Sequence, residues 1–179
     1  MSLALSAREL LTRWSPPSDR QRELRDEFVQ QIDRDTSSWS RNCRPDHLTA
    51  SVIVLDQTQT HVLLGLHAKV GLWLQFGGHI EADDASVQSA AERELVEESG
   101  IGELSLAGAE PLQLDRHPAP CGARHHLDIQ FAAYVDHDVA TKLSQESLAL
   151  RWFPVDALPD ETDAALRSLV AAATTQPAR

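Results

Sequence analysis

Apolar positions recur at helical spacing through residue 45 and switch to period two, with β-branched residues, from His47 onward. Ser6-x-x-Glu9 and Ser18-x-x-Gln21 both fit the capping-box pattern, in which a hydroxyl and a carboxyl or amide side chain satisfy free helix N–H groups. The first predicts a short helix through Leu10, Leu11 and Trp14 that Pro16-Pro17 stops. The second predicts a helix in which Leu24, Phe28 and Ile32, four apart, form one inward stripe. Residues 1–46 therefore read as an N-terminal helical arm packed on a main body of residues 47–179, with Trp14 and Trp39 as its packing anchors.

In the main body, Ser51–Leu55 and His61–Leu66 read as strands joined by the polar turn Asp56–Thr60. Leu72–Phe76 is another short strand, ending at Gly77-Gly78. A helix from about Ser86 to Glu98 follows, closed by Gly100 at the usual C-terminal position. Strands are then expected at Leu104–Leu114, Leu127–Val135 and Leu148–Val155, and a last Ala/Leu-rich helix at about Thr162–Ala173. Strands and helices in this mixed order predict one α/β domain with helices packed on a sheet.

Composition narrows the function. The 179 residues carry 16 basic and 27 acidic side chains, a formal charge of −11, which argues against general affinity for nucleic-acid polymers or anionic membranes. No apolar run approaches the ~20 residues that cross a bilayer, and the N-terminus lacks the basic start and long apolar stretch of a secretion signal. Two cysteines, Cys43 and Cys121, are too few for a disulfide framework, so a cytoplasmic protein with reduced thiols is expected.

Candidate chemistry concentrates between Glu81 and Glu98, where seven residues are acidic and only Arg93 is basic. A charge run is usually a solvated helix face, but two features count against that here. Glu94, Glu97 and Glu98 stand at i, i+3 and i+4, so their carboxylates converge, and like charges at that spacing cost roughly 0.2–0.5 kcal/mol per pair. Glu97 and Glu98 also occupy the last helical turn, where the helix dipole favours cations. A bound divalent cation is the natural compensation, and hard carboxylate oxygens suit Mg2+, or Mn2+, which bridges such ligands to substrate phosphates. The residue types thus predict metal-assisted attack of water on a polyphosphate. Gly77-Gly78 ahead of the helix lets the backbone approach a metal or phosphate closely.

The segment from Gly78 to Ile101 resembles the signature box of the Nudix hydrolases, G-x5-E-x7-R-E-U-x-E-E-x-G-U, with U aliphatic. Arg93-Glu94-Leu95-Val96-Glu97-Glu98-Ser99-Gly100-Ile101 matches its second half at every defined position. The first half carries one residue too many: counted from Gly78 the earlier glutamate falls on Asp84, and counted back from Arg93 it falls on Ala85. A one-residue extension of the loop before the helix, with Asp84 replacing that glutamate, accounts for the mismatch.

The resemblance extends to roughly Thr49–Leu158. It implies an α/β/α sandwich with a mixed sheet and hydrolysis of a nucleoside diphosphate-linked or related small organic pyrophosphate. Carried over by position, Glu94 and Glu98 become the principal Mg2+ ligands, Glu97 a further ligand or water-positioner, the Gly77 carbonyl another ligand, and Arg93 the group that orients the carboxylates. Members of the family place the general base either in the box or on a loop before the last strand, a position that Glu146 holds here. His79, beside the two glycines, together with Gly78, is the candidate for substrate phosphate. The expected partner is a small phosphorylated molecule. A homodimer through the arm is also open, since helical arms in small enzymes often serve dimer contacts. Two other readings are a catalytically silent nucleotide-binding domain, which usually lacks box glutamates, and an isoprenoid diphosphate isomerase, which wants a catalytic cysteine.

Eight histidines are many for this length. His117, Cys121, His125 and His126 lie within ten residues, a set that zinc accepts. H-x3-C-x3-H is not a standard zinc spacing, however, and adjacent His125 and His126 point to opposite faces of a strand. Ordinary surface or hydrogen-bonded histidines, with one lining a substrate pocket as the alternative, is therefore the expectation. Trp73 and Trp152 read as core residues.

Overall fold

The computed structural model describes residues 2–102, 104–119 and 121–175. Helices α1 (Leu3–Arg13) and α2 (Asp19–Arg34) precede a seven-stranded mixed sheet. Its strands are β1 (Asp46–Asp56), β2 (His61–His67), β3 (Trp73–Leu74), β4 (Phe76–His79), β5 (Gln113–Pro118), β6 (His125–Val135) and β7 (Ser147–Pro154). Helix α3 (Val87–Ser99) lies between β4 and β5, and α4 (Ala164–Thr175) ends the described fold.

β1 is the axis of the sheet. Along one edge it pairs in parallel with β6 over its whole length, from Asp46–His125 to Asp56–Val135. Along the other edge it meets β2 only at Val54–Leu63 and Leu55–Val62, after which β4 takes over, pairing Thr49 with His79 through to Val52 with Phe76. The fork between β1 and β2 thereby admits the Gly77-Gly78 segment to the sheet.

Alternation along β1 sorts side chains into two cores, because successive residues of a strand point to opposite faces. Leu48, Ala50, Val52 and Val54 face a cluster with Leu95, Ala90 and Ala91 of α3 and with Leu11, Trp14, Leu24, Phe28 and Ile32 of the first two helices. Ile53 and Leu55 face the other side, against Leu166, Leu169 and Val170 of α4. Helices thus cover both faces, giving the expected α/β/α arrangement.

Local signals explain most element boundaries. Ser18 caps α2 by accepting from the Gln21 N–H, but the Gln21 amide does not reach back to the cap. It instead donates to the Leu114 carbonyl and accepts from the Leu114 N–H, which clips the arm to β5. The first helix starts earlier than its pattern suggests: Ser2 is the cap and Ser6 is inside the helix. Trp14 is buried and Trp39 packs on the same cluster, as anchors would. Ser86 caps α3 and Gly100 ends it in the left-handed conformation. The expected strand Leu104–Leu114 is largely irregular: single backbone bonds from Ala107 to Ala132 and from Leu112 to Gln130 precede the regular ladder, which starts at Gln113. Its apolar residues serve packing instead, since Leu104 and Leu106 sit against the first core. The Leu72–Phe76 strand is two strands, and the second continues through the glycines to His79.

The position of Gly77 is dictated by this pairing. A Cβ there would stand 2.4 Å from the Ser51 Cβ and 2.6 Å from the Ala50 carbonyl oxygen, on a backbone with φ of +156°. Gly77→Ala must therefore push β4 away from β1. Overpacking of this kind costs about 1–3 kcal/mol or more, and a chain of this size loses about 2–4 °C of melting temperature per kcal/mol. A melting curve for Gly77→Ala that overlays the wild type would contradict the tight β1–β4 approach.

Candidate active site

Arg93 organises the acidic segment. Its Nε and Nη2 donate to the two carboxylate oxygens of Asp84 at 3.0 Å each, and Nη2 also donates to the His79 carbonyl at 2.9 Å. Its Nη1 donates to Glu94 at 3.0 Å and to Glu97 at 3.2 Å. One guanidinium therefore ties the loop before α3, the end of β4 and two helix carboxylates into one unit. Planar two-pronged pairing of this type is the strong form of an ion pair. The Asp84 side chain is only 6% exposed, so this pair is shielded from water. The hydrogen bonds that Arg93 donates to Asp84 and then to Glu94, with the charges of both carboxylates, hold the Arg93 proton more firmly than usual despite burial. The loop extension ahead of α3 thus places Asp84 where it grips Arg93.

Glu98 lies deeper. Its carboxylate accepts from the Gly77 N–H at 2.8 Å, which joins the last turn of α3 to β4. Burial pushes this carboxyl up to about 8; the Gly77 N–H opposes the shift, and the charges of Glu94, Glu146 and Glu97 add to it. Burial likewise raises the Glu94 carboxyl against the opposing effect of Arg93, with Glu97 and Glu146 adding to the rise. A Cβ on Gly78 would stand 2.8 Å from the Glu94 carboxyl carbon, so the bare backbone of Gly78 lies directly against that carboxylate. Glu97 is mostly exposed beside them.

Glu146 comes from the other side of the molecule in sequence, just ahead of β7. Its carbonyl accepts from the Ala68 N–H at 2.9 Å, which fixes its backbone beside β2. Its carboxylate is close enough to raise both Glu94 and Glu98. The structure thus brings together Gly77, Gly78, Arg93, Glu94, Glu97, Glu98 and Glu146. Glu94 and Glu97 bond to Arg93, while Glu98 and Glu146 have no cationic partner among the described residues; this set of hard oxygen donors, short of positive charge, is the donor chemistry a divalent cation fits.

The side chain of His79 is not part of this group. Its register partner is Thr49, whereas that of Gly78 is Ala50, so the His79 ring lies on the sheet face opposite α3. There it packs 5.2 Å from the rings of both His47 and His126. Of the four clustered positions of the β5–β6 hairpin, His125 leaves the group, while the His117 ring stays 5.2 Å from that of His126 without its ligand atoms joining the cluster. His125 turns to Asp46, to which its Nδ1 and N–H are both 3.0 Å away, and His117 pairs with Asp115 at 2.8 Å. Cys121 and His126 join His47 and His79 instead. His47 was invisible as a partner in the sequence, although its odd position on β1, shared with Thr49 and Ser51, was a usable signal. Trp73 is buried, and Trp152 is half-buried and stacks on His137.

The raised Glu98 carboxyl has a consequence for metal-free protein. The unfolded chain loses this proton near the ordinary value of 4.5, while the folded chain keeps it to about 8. Between those limits the folded state binds more protons, so its stability falls as pH rises. Melting temperature in chelator is expected to drop from pH 5 to pH 8, and Glu98→Gln should flatten that slope. An equal slope in wild type and variant would contradict the buried position of Glu98.

Comparison with known proteins agrees with this geometry. Residues 45–173 match the NUDIX domain family. No match is found among curated proteins. Among solved structures, a NUDIX-family hydrolase from Clostridium perfringens is similar at 24% identity, covering 72% of this chain and 96% of that one with a TM-score of 0.60. An Ap4A hydrolase from C. elegans gives 18% identity, 72% and 95% coverage and a TM-score of 0.60. The E. coli dihydroneopterin triphosphate pyrophosphohydrolase gives 21% identity, 71% and 92% coverage and a TM-score of 0.58. With the domain matched over most of the chain and the same fold in these hydrolases, the chain belongs to the Nudix hydrolase family.

Proposed function

We propose that this protein cleaves the diphosphate linkage of a nucleoside diphosphate-linked or related small organic pyrophosphate by attack of water, with Mg2+ as cofactor and Mn2+ as a substitute. The observation that carries this reading is the packing of Glu94, Glu97 and Glu98 around Arg93 and the Gly77 backbone, with the charge of Glu146 near enough to act on Glu94 and Glu98. Glu94 and Glu98 would hold the ion as principal ligands, with Glu97 and the Gly77 carbonyl completing the protein side. When bound, the ion supplies Lewis-acid polarisation of a phosphoryl oxygen and of water.

The remaining roles fall to the chain itself. Arg93 fixes the carboxylates through the bonds that tie it to Asp84, Glu94 and Glu97. Gly78 leaves room for a phosphate to approach the backbone beside Glu94. Glu146, exposed and on a different segment from the ligands, is free to take the proton of the attacking water. On this reading residues 47–179 form the hydrolase and residues 1–46 the arm that braces it, acting on a small phosphorylated molecule in the cytoplasm. The presence of Glu94, Glu97 and Glu98 weighs against a silent nucleotide-binding role.

The test is a panel of nucleotide sugars, dinucleoside polyphosphates, nucleoside triphosphates, ADP-ribose and coenzyme A, assayed with Mg2+ or Mn2+. Products are identified by mass. Metal-dependent cleavage of at least one member is expected, and binding without turnover across the panel would favour a nucleotide sensor.

A further inference from the structure

On the sheet face opposite the carboxylates, histidines line up across neighbouring strands. His79 of β4 stands opposite Thr49, His47 lies two residues before Thr49 on β1, and His126 of β6 stands directly opposite His47. Cys121 reaches into the same place from the β5–β6 turn. Candidate ligand atoms of His47, His79, Cys121 and His126 all lie within 4.8 Å of one another. The Cys121 Sγ is 3.3 Å from the His126 Nε2 and 3.6 Å from the His47 Nε2.

These separations have a chemical meaning. Zinc bonds of about 2.0–2.1 Å to nitrogen and 2.3 Å to sulfur, arranged tetrahedrally, put three nitrogens and one sulfur roughly 3.3–3.6 Å apart, the range of the two Cys121 contacts. We propose that His47, His79, His126 and Cys121 form a binding site for a Zn2+ ion, separate from the carboxylate site.

Hydrogen bonding alone leaves this cluster poorly satisfied. The Cys121 thiol can donate to one of the two imidazole nitrogens that contact it and only weakly accept from the other. The His79 Nε2 is buried and has no hydrogen-bond partner among the described residues. Buried polar atoms are normally paired, and an orphan one points to a missing ion or water. A zinc ion accepts all four lone pairs at once, with the Cys121 proton released to solvent. The support behind the ligands also fits. The His47 Nδ1 faces the Cys43 carbonyl at 3.4 Å, and a backbone carbonyl commonly fixes the second nitrogen of a zinc-bound histidine.

The turn that carries Cys121 is itself held in place. The Arg124 N–H donates to the Pro45 carbonyl at 2.6 Å, and the His125 N–H donates to Asp46 at 3.0 Å, both at the start of β1. Imidazole and thiolate donors favour zinc over Mg2+, whereas the glutamate site has the opposite preference. The ion closes the site with four protein ligands, the arrangement of structural zinc. It pins the β5–β6 turn to β1 and to β4.

The test uses the whole, chelator-stripped protein and Co2+ as a spectroscopic stand-in for zinc. With excess Mg2+ present to fill the carboxylate site, one Co2+ per chain should bind, with the visible bands of tetrahedral cobalt and a thiolate-to-cobalt charge-transfer band, and Zn2+ should displace it. Loss of a supporting partner of a metal ligand costs about 10–100-fold in affinity, so Cys121→Ser should weaken zinc binding by more than about 100-fold and abolish the charge-transfer band. Cys43→Ser and Glu98→Gln should leave both unchanged. A measurement on wild type needs no variant to fold: Zn2+ should protect Cys121 from alkylation, located by peptide mass, and Mg2+ should not. Absence of the charge-transfer band, equal zinc affinity in folded Cys121→Ser, or alkylation of Cys121 unaffected by Zn2+ would each overturn the site.

Discussion

Glu98→Gln is expected to abolish hydrolysis while leaving the protein folded. Losing a single electrostatic contact to the reacting group commonly costs about 10²–10³-fold in rate. Glu98 should exceed that, because it is both a principal ligand and the most buried carboxylate of the group. The amide keeps the shape and can still accept from the Gly77 N–H, whose bond to Glu98 links α3 to β4. It cannot offset the charge of a dication. The metal-free variant should therefore melt higher than wild type above pH 8, where the buried wild-type carboxylate is ionised among Glu94, Glu97 and Glu146. Dead enzyme with raised metal-free stability is a combination that simple misfolding cannot produce. The measurements are rate against Mg2+ concentration and melting temperature in chelator at alkaline pH.

Glu146→Gln is expected to behave differently. If this carboxylate removes the proton of the attacking water, its loss lowers kcat by about 10²–10⁴-fold, the usual worth of general-base catalysis. The Mg2+ concentration for half-maximal rate should hardly move, since Glu146 is an exposed residue outside α3 and is not one of the assigned ligands. Near-normal turnover would move the base to Glu97 or another carboxylate. A large loss of metal affinity would instead make Glu146 a ligand.

The acidic site was legible in the sequence because most of it is local. Glu94, Glu97 and Glu98 share a helix, and helical spacing alone makes their carboxylates converge. Asp84 was legible as a substitute for the usual glutamate, and its two-pronged bond to Arg93 is what the loop extension achieves. The fold class followed from the change of period at His47. Non-local pairing was less accessible. Gln21 matches a capping box, yet it spends both ends of its amide on Leu114, 93 residues away. Leu104 and Leu106 have strand-like character, but packing against the first core holds them outside the sheet. The histidine cluster is non-local for the same reason. Sequence proximity linked His117 and His125 to Cys121, whereas the parallel register of β1 and β6 delivers His47 and the β1–β4 register delivers His79.

The central claim is that carboxylates on α3 support attack of water on a diphosphate. The most direct measurement is hydrolysis of a panel substrate in 18O-labelled water, with products weighed by mass spectrometry. One 18O atom is expected in a phosphoryl-containing product, formed with Mg2+ or Mn2+ and lost in chelator and in Glu98→Gln. Turnover that persists in chelator or in Glu98→Gln, or 18O appearing only outside the phosphoryl group, would contradict it.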